Sequence, residues 1–124
     1  MERVIGLGGP FIKAVNPKEL ADWYEKHLGV PFNGGTYAMW NTPEPGAAGC
    51  TIFSLFPEQA DYFQPSGKTT MINFIVKDLF GLIAILREEG VAVVGEPIAE
   101  SYGKFGWILD PEGNKIELWE PPVS

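Results

Sequence analysis

The sequence predicts a single α+β domain, residues 1–124, built from two modules that repeat one order of elements, β-α-β-β-β. In each module an apolar run leads to a helix-capping residue, an amphipathic helix follows, and a glycine ends the helix. The two capping residues, Asn16 and Asp78, lie 62 positions apart, which is half of the chain. Module one therefore covers about residues 1–60 and module two about residues 66–124.

The first helix follows the apolar run 11–15 and begins at Asn16. The Asn16 side chain can cap the helix, Pro17 suits the first helical position, and Glu19 completes a capping box. Gly29 ends the helix after Leu28. Its apolar positions recur at the helical period of about 3.6 residues and fall on one face: Leu20, Trp23, Tyr24 and Leu28.

The second helix follows the apolar run 72–77, is capped by Asp78 and extends to Glu89. Its apolar stripe has four members: Leu79, Leu82, Ile83 and Leu86. Phe80 and Ile85 widen the apolar surface beyond what one sheet needs. This width is typical either of a deeply buried helix or of a contact between two subunits, and we expect a homodimer.

Strand-like segments follow each helix, separated by turn residues. They are residues 29–30, 36–41 and 50–56 in module one, and 91–94, 105–110 and 115–120 in module two. A Pro/Gly-rich loop, 42–49, separates two of them. Asp110 to Asn114 form a turn, with Pro111 early and Gly113 where a left-handed residue is needed. About eight strands and two helices are predicted.

The net charge of −7 argues against nucleic acid or an anionic membrane surface as the partner. No apolar run approaches the roughly 20 residues that cross a bilayer. The N-terminal residues lack the pattern of a secretory signal peptide. The single cysteine, Cys50, excludes an internal disulfide and suits a reducing compartment. We therefore expect a cytoplasmic protein.

The pairs Trp23-Tyr24 and Leu28-Gly29, together with the turn and strand from Asp110 to Leu118, resemble the vicinal-oxygen-chelate superfamily. This superfamily includes glyoxalase, bleomycin-resistance proteins and extradiol dioxygenases. The resemblance extends over nearly the whole chain. It implies two βαβββ modules that pair into a curled mixed sheet around a ligand cavity, with the helices on the outer face, and it also implies a homodimer.

The resemblance further implies four metal-ligand positions, which fall on Gly9, near Phe53, on Met71 and on Glu117. Glycine and phenylalanine offer no ligand, and a thioether suits soft metals only. Catalytic sites supply about three protein ligands, so Glu117 alone does not hold a divalent ion. We expect no metal and no other cofactor.

Period-two alternation predicts which residues line the cavity, once Glu117 is taken to point inward. The expected ligand-binding residues are Phe11, Lys13, Phe53, Met71, Asn73, Phe105, Trp107 and Trp119. Lys13 is the expected partner of the buried carboxylate. Tyr37, Met39 or Trp40 can close the side of the cavity, but the sequence does not determine which.

The function predicted first is metal-independent binding of an aromatic or amphipathic small molecule, similar to the bleomycin-sequestering branch. The alternative is a lyase or isomerase with Glu117 as general base, because an apolar environment raises a carboxyl pKa toward neutrality. A metal-dependent glyoxalase or dioxygenase follows from the family alone, and the missing ligands argue against it. A protein-interaction role without a pocket is the remaining option, so the sequence leaves catalysis open.

Overall fold

The computed structural model describes residues 3–41 and 50–122, which form one curled seven-stranded mixed sheet and two helices. The elements are β1 (Val4–Ala14), α1 (Pro17–Leu28), β2 (Tyr37–Asn41), β3 (Cys50–Pro57), β4 (Thr70–Val76), α2 (Leu79–Glu88), β5 (Ile98–Glu100), β6 (Gly103–Leu109) and β7 (Lys115–Glu120). The strand order is β2-β3-β1-β4-β7-β6-β5. The α+β class predicted from the sequence is confirmed. Neither helix in the described residues has the length and apolarity that crossing a membrane requires.

Both helices begin where the capping residues predict. The Asn16 side chain accepts a hydrogen bond from the Glu19 amide at 3.2 Å, and the Asp78 side chain accepts one from the Gly81 amide at 3.1 Å. Gly29 adopts the left-handed conformation (φ 68°) that ends α1. Helix α2 ends at Glu88, one residue before the predicted end.

The two modules repeat one strand pattern inside a single sheet. In module one β1 pairs in parallel with β3, and β3 pairs antiparallel with β2. In module two β4 pairs in parallel with β7, and β7 pairs antiparallel with β6. The antiparallel pair β1–β4 joins the modules at the centre of the sheet, within this chain.

Two predicted strands are wrong. Residues 29–30 form the helix C-terminus, because the backbone N–H groups of Gly29 and Val30 bond back to carbonyls of α1. Residues 91–94 lie beside β6 but form only an isolated bridge at Val93, since the chain turns at Gly95 with a positive φ of 69°. The short strand β5 pairs with β6 instead. The predicted loop 42–49 lies outside the described residues.

The sheet has two chemically different faces. The helices cover one face, with Leu79 and Ile83 of α2 packed near Leu118, and Ala21 of α1 packed near Leu55. The opposite, concave face carries aromatic clusters that contain Phe11, Phe63, Met71, Ile75 and Trp119. The concave face therefore holds the candidate site.

Candidate functional site

Glu117 lies at the middle of β7 with its side chain on the concave face. Its neighbours Ile116 and Leu118 point the other way and pack in the core beneath α2. Glu117 is paired in register with Asn73 on β4 and with Trp107 on β6. Three adjacent strands thus place three polar side chains in one row, and only 1% of Glu117 is exposed.

Three donors surround the Glu117 carboxylate. The Tyr62 hydroxyl and the Trp107 indole N–H both donate to Oε1, the latter at 3.0 Å. The Asn73 amide nitrogen donates to Oε2 at 2.5 Å. Charge-assisted hydrogen bonds of this kind compensate the cost of burying a carboxylate.

Burial raises the pKa of Glu117 above its ordinary value, although the hydrogen bonds from Tyr62, Asn73 and Trp107 favour the charged form. The pKa of Tyr62 is raised as well, first by burial and then by the neighbouring charge of Glu117. The Tyr62 phenol therefore keeps its proton at neutral pH and donates a hydrogen bond to the Glu117 carboxylate.

Tyr62 comes from the segment between the modules, which turns across the concave face. Phe63 anchors this segment, because its side chain is fully buried in the aromatic cluster. The Tyr62 ring stacks on Phe56 with 5.5 Å between ring centroids. Lys115 donates to the Tyr62 carbonyl at 2.5 Å, and its ammonium lies 5.2 Å from the Tyr62 ring centre and 5.6 Å from that of Trp107. Burial lowers the pKa of Lys115.

A cavity of about 280 Å³ opens on the concave face above Glu117. It is lined by Phe11, Tyr37, Met39, Ile52, Ser54, Asn73, Tyr102, Phe105, Glu117 and Trp119. The Phe105 and Trp119 rings are nearly parallel, with 12° between their planes and 6.3 Å between their centroids. In the part of the chain that the structure describes, no Lys, Arg or His lines this cavity. A larger groove of about 570 Å³ runs along the surface of α1, but it has no buried polar side chain.

The structure brings most of the predicted site residues together. Those that line the cavity are Phe11, Asn73, Phe105, Glu117 and Trp119. Trp107 contacts the Glu117 carboxylate from the adjacent strand. Met71 lies beneath these residues in the apolar cluster with Phe63.

Phe53 was predicted to face the cavity, and this prediction is wrong. Its side chain packs with the core of α1 on the opposite face of the sheet. The strand register explains the error. Ser54 on β3 pairs with Phe11 on β1, just as Glu117 on β7 pairs with Asn73 on β4, so the counterpart of Glu117 in module one is Ser54 and not Phe53. A register counted one residue short exchanges the two faces of a strand.

Lys13 does not pair with Glu117, so that prediction is also wrong. The Lys13 ammonium lies 5.4 Å from the centre of the Phe63 ring. Lys115 makes no ion pair with Glu117 among the described residues, but its charge favours the ionised form and acts to lower the pKa of Glu117. Lys115 lies two positions before Glu117 on β7, and its ammonium is held by the Tyr62 carbonyl.

Sequence reasoning missed or left open six residues around the site: Tyr37, Met39, Ile52, Ser54, Tyr62 and Tyr102. The pairing of β2 with β3 determines which side chains of β2 face the cavity, because Tyr37 lies opposite Ser54 and Met39 lies opposite Ile52. Period-two alternation places them on the cavity face once that register is known. Tyr62 lies in an irregular segment, for which periodicity gives no signal.

The residues present do not fit the divalent metal that the family's ligand positions imply. A Cβ at Gly9 would lie 1.7 Å from the Ile52 carbonyl oxygen, so this position does not accept a ligating side chain without a backbone shift. Met71 is enclosed by apolar groups. Within residues 3–41 and 50–122, no group of three or more His, Cys, Asp or Glu side chains is arranged to hold a metal ion. The groups in contact with the Glu117 carboxylate are hydrogen-bond donors, which present protons where a metal needs lone pairs.

Comparison with known proteins establishes the family. The model of the Glyoxalase/Bleomycin resistance protein/Dioxygenase superfamily matches residues 12–118, and the chain belongs to this superfamily. No curated protein sequence matches the chain.

Solved structures share the fold at low sequence identity. A methylmalonyl-CoA epimerase from Mycobacterium tuberculosis is 24% identical with a TM-score of 0.65, over 98% of this chain and 91% of that one. A methylmalonyl-CoA epimerase from Streptomyces coelicolor, in complex with 2-nitronate-propionyl-CoA, is 17% identical with a TM-score of 0.70, over 97% and 99%. An NAD-dependent benzaldehyde dehydrogenase from Legionella pneumophila is 13% identical with a TM-score of 0.62, over 92% and 98%. Likeness at these identities shows the fold alone.

Proposed function

We propose that this protein binds an aromatic or amphipathic small molecule, without a metal ion, in the cavity above Glu117. The observation that carries the proposal is an aromatic-walled cavity with a buried carboxylate at its base. A mostly apolar pocket with a few oriented polar groups is typical of small-molecule sites. The volume of about 280 Å³ is close to the lower end of the usual range, roughly 300–1,000 Å³, which indicates a small ligand.

The hydrogen bonds of Glu117 support recognition of a ligand over catalysis. Tyr62 and Trp107 occupy Oε1, and Asn73 occupies one acceptor direction of Oε2. A carboxylate held by three donors has a fixed orientation, and its remaining acceptor capacity is on Oε2. Fixed polar groups in an apolar wall give a binding site its specificity.

The second candidate function is proton transfer by Glu117 acting as general base, as in a lyase or isomerase. One observation favours it: burial raises the pKa of Glu117 in the direction that suits proton abstraction near neutral pH. In this function Oε2 would accept a proton from carbon beside a carbonyl, while the donors to Oε1 would hold the carboxylate in place. The epimerases named above act on a substrate with a carboxylate, and in the described residues no cation lines the cavity to pair with one.

A ligand screen with a blocked variant tests the proposal. Small aromatic and amphipathic compounds are titrated in buffer with a metal chelator, and binding is followed by thermal shift and tryptophan fluorescence. Ser54→Phe places a ring in the cavity, whereas Thr51→Phe adds the same ring to an exposed position of the same strand. We expect bound compounds to be lost in Ser54→Phe and retained in Thr51→Phe.

Two results would count against this proposal. If no compound binds the parent protein, or if Ser54→Phe binds as the parent does, the cavity is not the binding site. Deuterium uptake from D2O at a carbon of a bound compound, abolished by Glu117→Gln, would establish the second candidate instead.

A further inference from the structure

The concave face of the sheet is longer than the cavity that opens on it. Lys115, Glu117 and Trp119 follow one another along this face of β7, because alternate side chains of a strand point the same way. Within the described residues, Glu117 and Trp119 line the cavity, whereas Lys115 does not. On the neighbouring strand β6, Phe105 lines the cavity and Trp107 lies outside its lining. The cavity therefore occupies only one end of the concave face.

Two side chains of the inter-module segment, residues 58–69, fill the other end of this face. Phe63 is fully buried in the apolar cluster that also contains Phe11. The ring of Tyr62 lies against Trp107, with 6.1 Å between the ring centroids and 87° between the planes. These two rings occupy space into which the cavity would otherwise extend.

The cavity and the inter-module segment meet at two residues. Glu117 lines the cavity and accepts the hydrogen bond from the Tyr62 hydroxyl. Phe11 also lines the cavity and packs in the cluster of Phe63. The side chains of Tyr62 and Phe63 therefore lie at the end of the cavity, directly beyond these two lining residues.

The Tyr62 ring can be removed while the contacts that hold the segment remain. Phe63, which anchors the segment, is fully buried, whereas Tyr62 is only partly buried. Lys115 donates to the backbone carbonyl of Tyr62, and any residue at position 62 retains that carbonyl. The Tyr62 side chain itself contributes its volume and one hydrogen bond to Glu117. Tyr62→Phe keeps the ring and removes the hydroxyl, so it separates these two contributions.

We infer that Tyr62 determines the specificity of the site for ligand length, because its ring closes one end of the cavity. This inference rests on the binding function proposed above. The ligand is accordingly a compact aromatic molecule, and the longest ligand that the protein accepts is the one that just reaches the Tyr62 ring.

A series of 4-alkylphenols, from 4-ethylphenol to 4-octylphenol, tests this inference by calorimetry at neutral pH. Each further methylene that the cavity buries should raise the affinity roughly fourfold. In the parent protein this rise should stop at the chain length that brings the ligand against the Tyr62 ring. The cavity volume is only about 280 Å³, so we expect this break within the series.

Variants at position 62 locate the limit. In Tyr62→Ala the affinity should continue to rise past the parent's break, because longer chains reach the space that the ring leaves beside Trp107. The affinity gained beyond that break should be at least about tenfold, the effect of two further methylenes. In Tyr62→Phe the break should stay at the parent's chain length, since the ring remains. If Tyr62→Ala does not fold, Tyr62→Leu replaces it, and its break should lie at a longer chain than that of Tyr62→Phe.

The remaining outcomes separate this inference from the proposed function. A break at one chain length in the parent and in all variants, or no break in the parent, overturns the role of Tyr62. A break that moves equally in Tyr62→Phe and Tyr62→Ala assigns the limit to the hydrogen bond and also overturns it. If Ser54→Phe blocks the binding in these cases, the binding function stands. No binding by the series, in a protein that binds other aromatic compounds in the same cavity, overturns the role of Tyr62 alone, whereas no binding by any compound contradicts both proposals.

Discussion

Replacement of Glu117 by leucine should strongly destabilise the fold, because three donors lose their common acceptor. Tyr62, Trp107 and Asn73 all donate to this carboxylate, which is 1% exposed. Each buried donor left unpaired costs about 1–3 kcal/mol. Tyr62 and Trp107 are partly exposed and can recover water, and leucine removes the cost of burying a charge. The net loss expected in the free energy of unfolding is therefore about 3–5 kcal/mol, because the cost of three unpaired donors, roughly 1–3 kcal/mol each, is partly offset by these two gains.

Glu117→Gln is the matched control for this loss. The Gln carbonyl can accept from Tyr62 and Trp107, and its amide can donate to the carboxamide oxygen of Asn73 if that group turns over. The expected cost is below about 1.5 kcal/mol, the worth of one ordinary hydrogen bond. Glu100→Leu, at an exposed position of β5, controls for the added apolar side chain.

Urea denaturation followed by tryptophan fluorescence measures these differences, provided that the denaturant slopes agree between variants. A Glu117→Leu protein within about 0.5 kcal/mol of the parent would refute the reasoning, since surface substitutions have effects of that size. A Glu117→Gln protein as unstable as Glu117→Leu would show that the charge, and not the acceptor, is what the three donors require.

Further predictions concern the protonation of Glu117, the hydrogen bond of Tyr62 and the oligomeric state of the protein. Because burial raises the folded-state pKa of Glu117, the stability that this group contributes is present below its unfolded pKa of about 4.3 and is lost as pH rises through the folded pKa. The parent should therefore lose stability relative to Glu117→Gln as the pH rises above about 4.3, and parallel urea profiles for the two proteins would contradict the shift. Tyr62→Phe should lower the free energy of unfolding by about 1.5–3 kcal/mol, and by less in a Glu117→Gln background, because the hydrogen bond to Glu117 is lost. The control Tyr102→Phe, at an exposed position, should change the free energy of unfolding little. Additive effects in this double-mutant cycle, measured by urea denaturation, would argue against the Tyr62–Glu117 hydrogen bond. Sedimentation equilibrium at micromolar concentration should show a homodimer, since Phe80 is 43% exposed on α2 and family members usually dimerise; a species of 13.6 kDa alone would contradict this.

Local side-chain chemistry made much of the fold predictable. The helix starts at Asn16 and Asp78 follow from capping, which needs only residues three positions apart. The turn before β7 follows from Asp110, whose carboxylate accepts from the backbone of Glu112 and Asn114, and from Gly113 with its positive φ of 83°. These signals lie in short stretches of sequence and do not depend on the rest of the chain.

The parts of the site that depend on strand register or on irregular segments were not predictable in the same way. Phe53 and Ser54 exchange faces with a one-residue change in register, and the pairing of β1 with β3 that sets it is non-local. Tyr62 reaches Glu117 from a segment without periodicity, across 55 positions of sequence. Lys115 shares the face of β7 with Glu117 by period-two alternation, but its partner is a backbone carbonyl, which leaves no mark in the sequence.

Metal analysis combined with ligand binding tests the central claim most directly. Protein purified without an affinity tag is analysed for Zn, Fe, Mn, Ni and Mg, and its best aromatic ligand is titrated before and after exhaustive treatment with a chelator. Because Glu117 is surrounded by hydrogen-bond donors and Gly9 has no space for a side chain, we expect far less than one metal ion per chain and the same ligand affinity in both titrations. About one metal ion per chain, or an affinity that falls with chelation and returns with the metal, would contradict metal-independent binding.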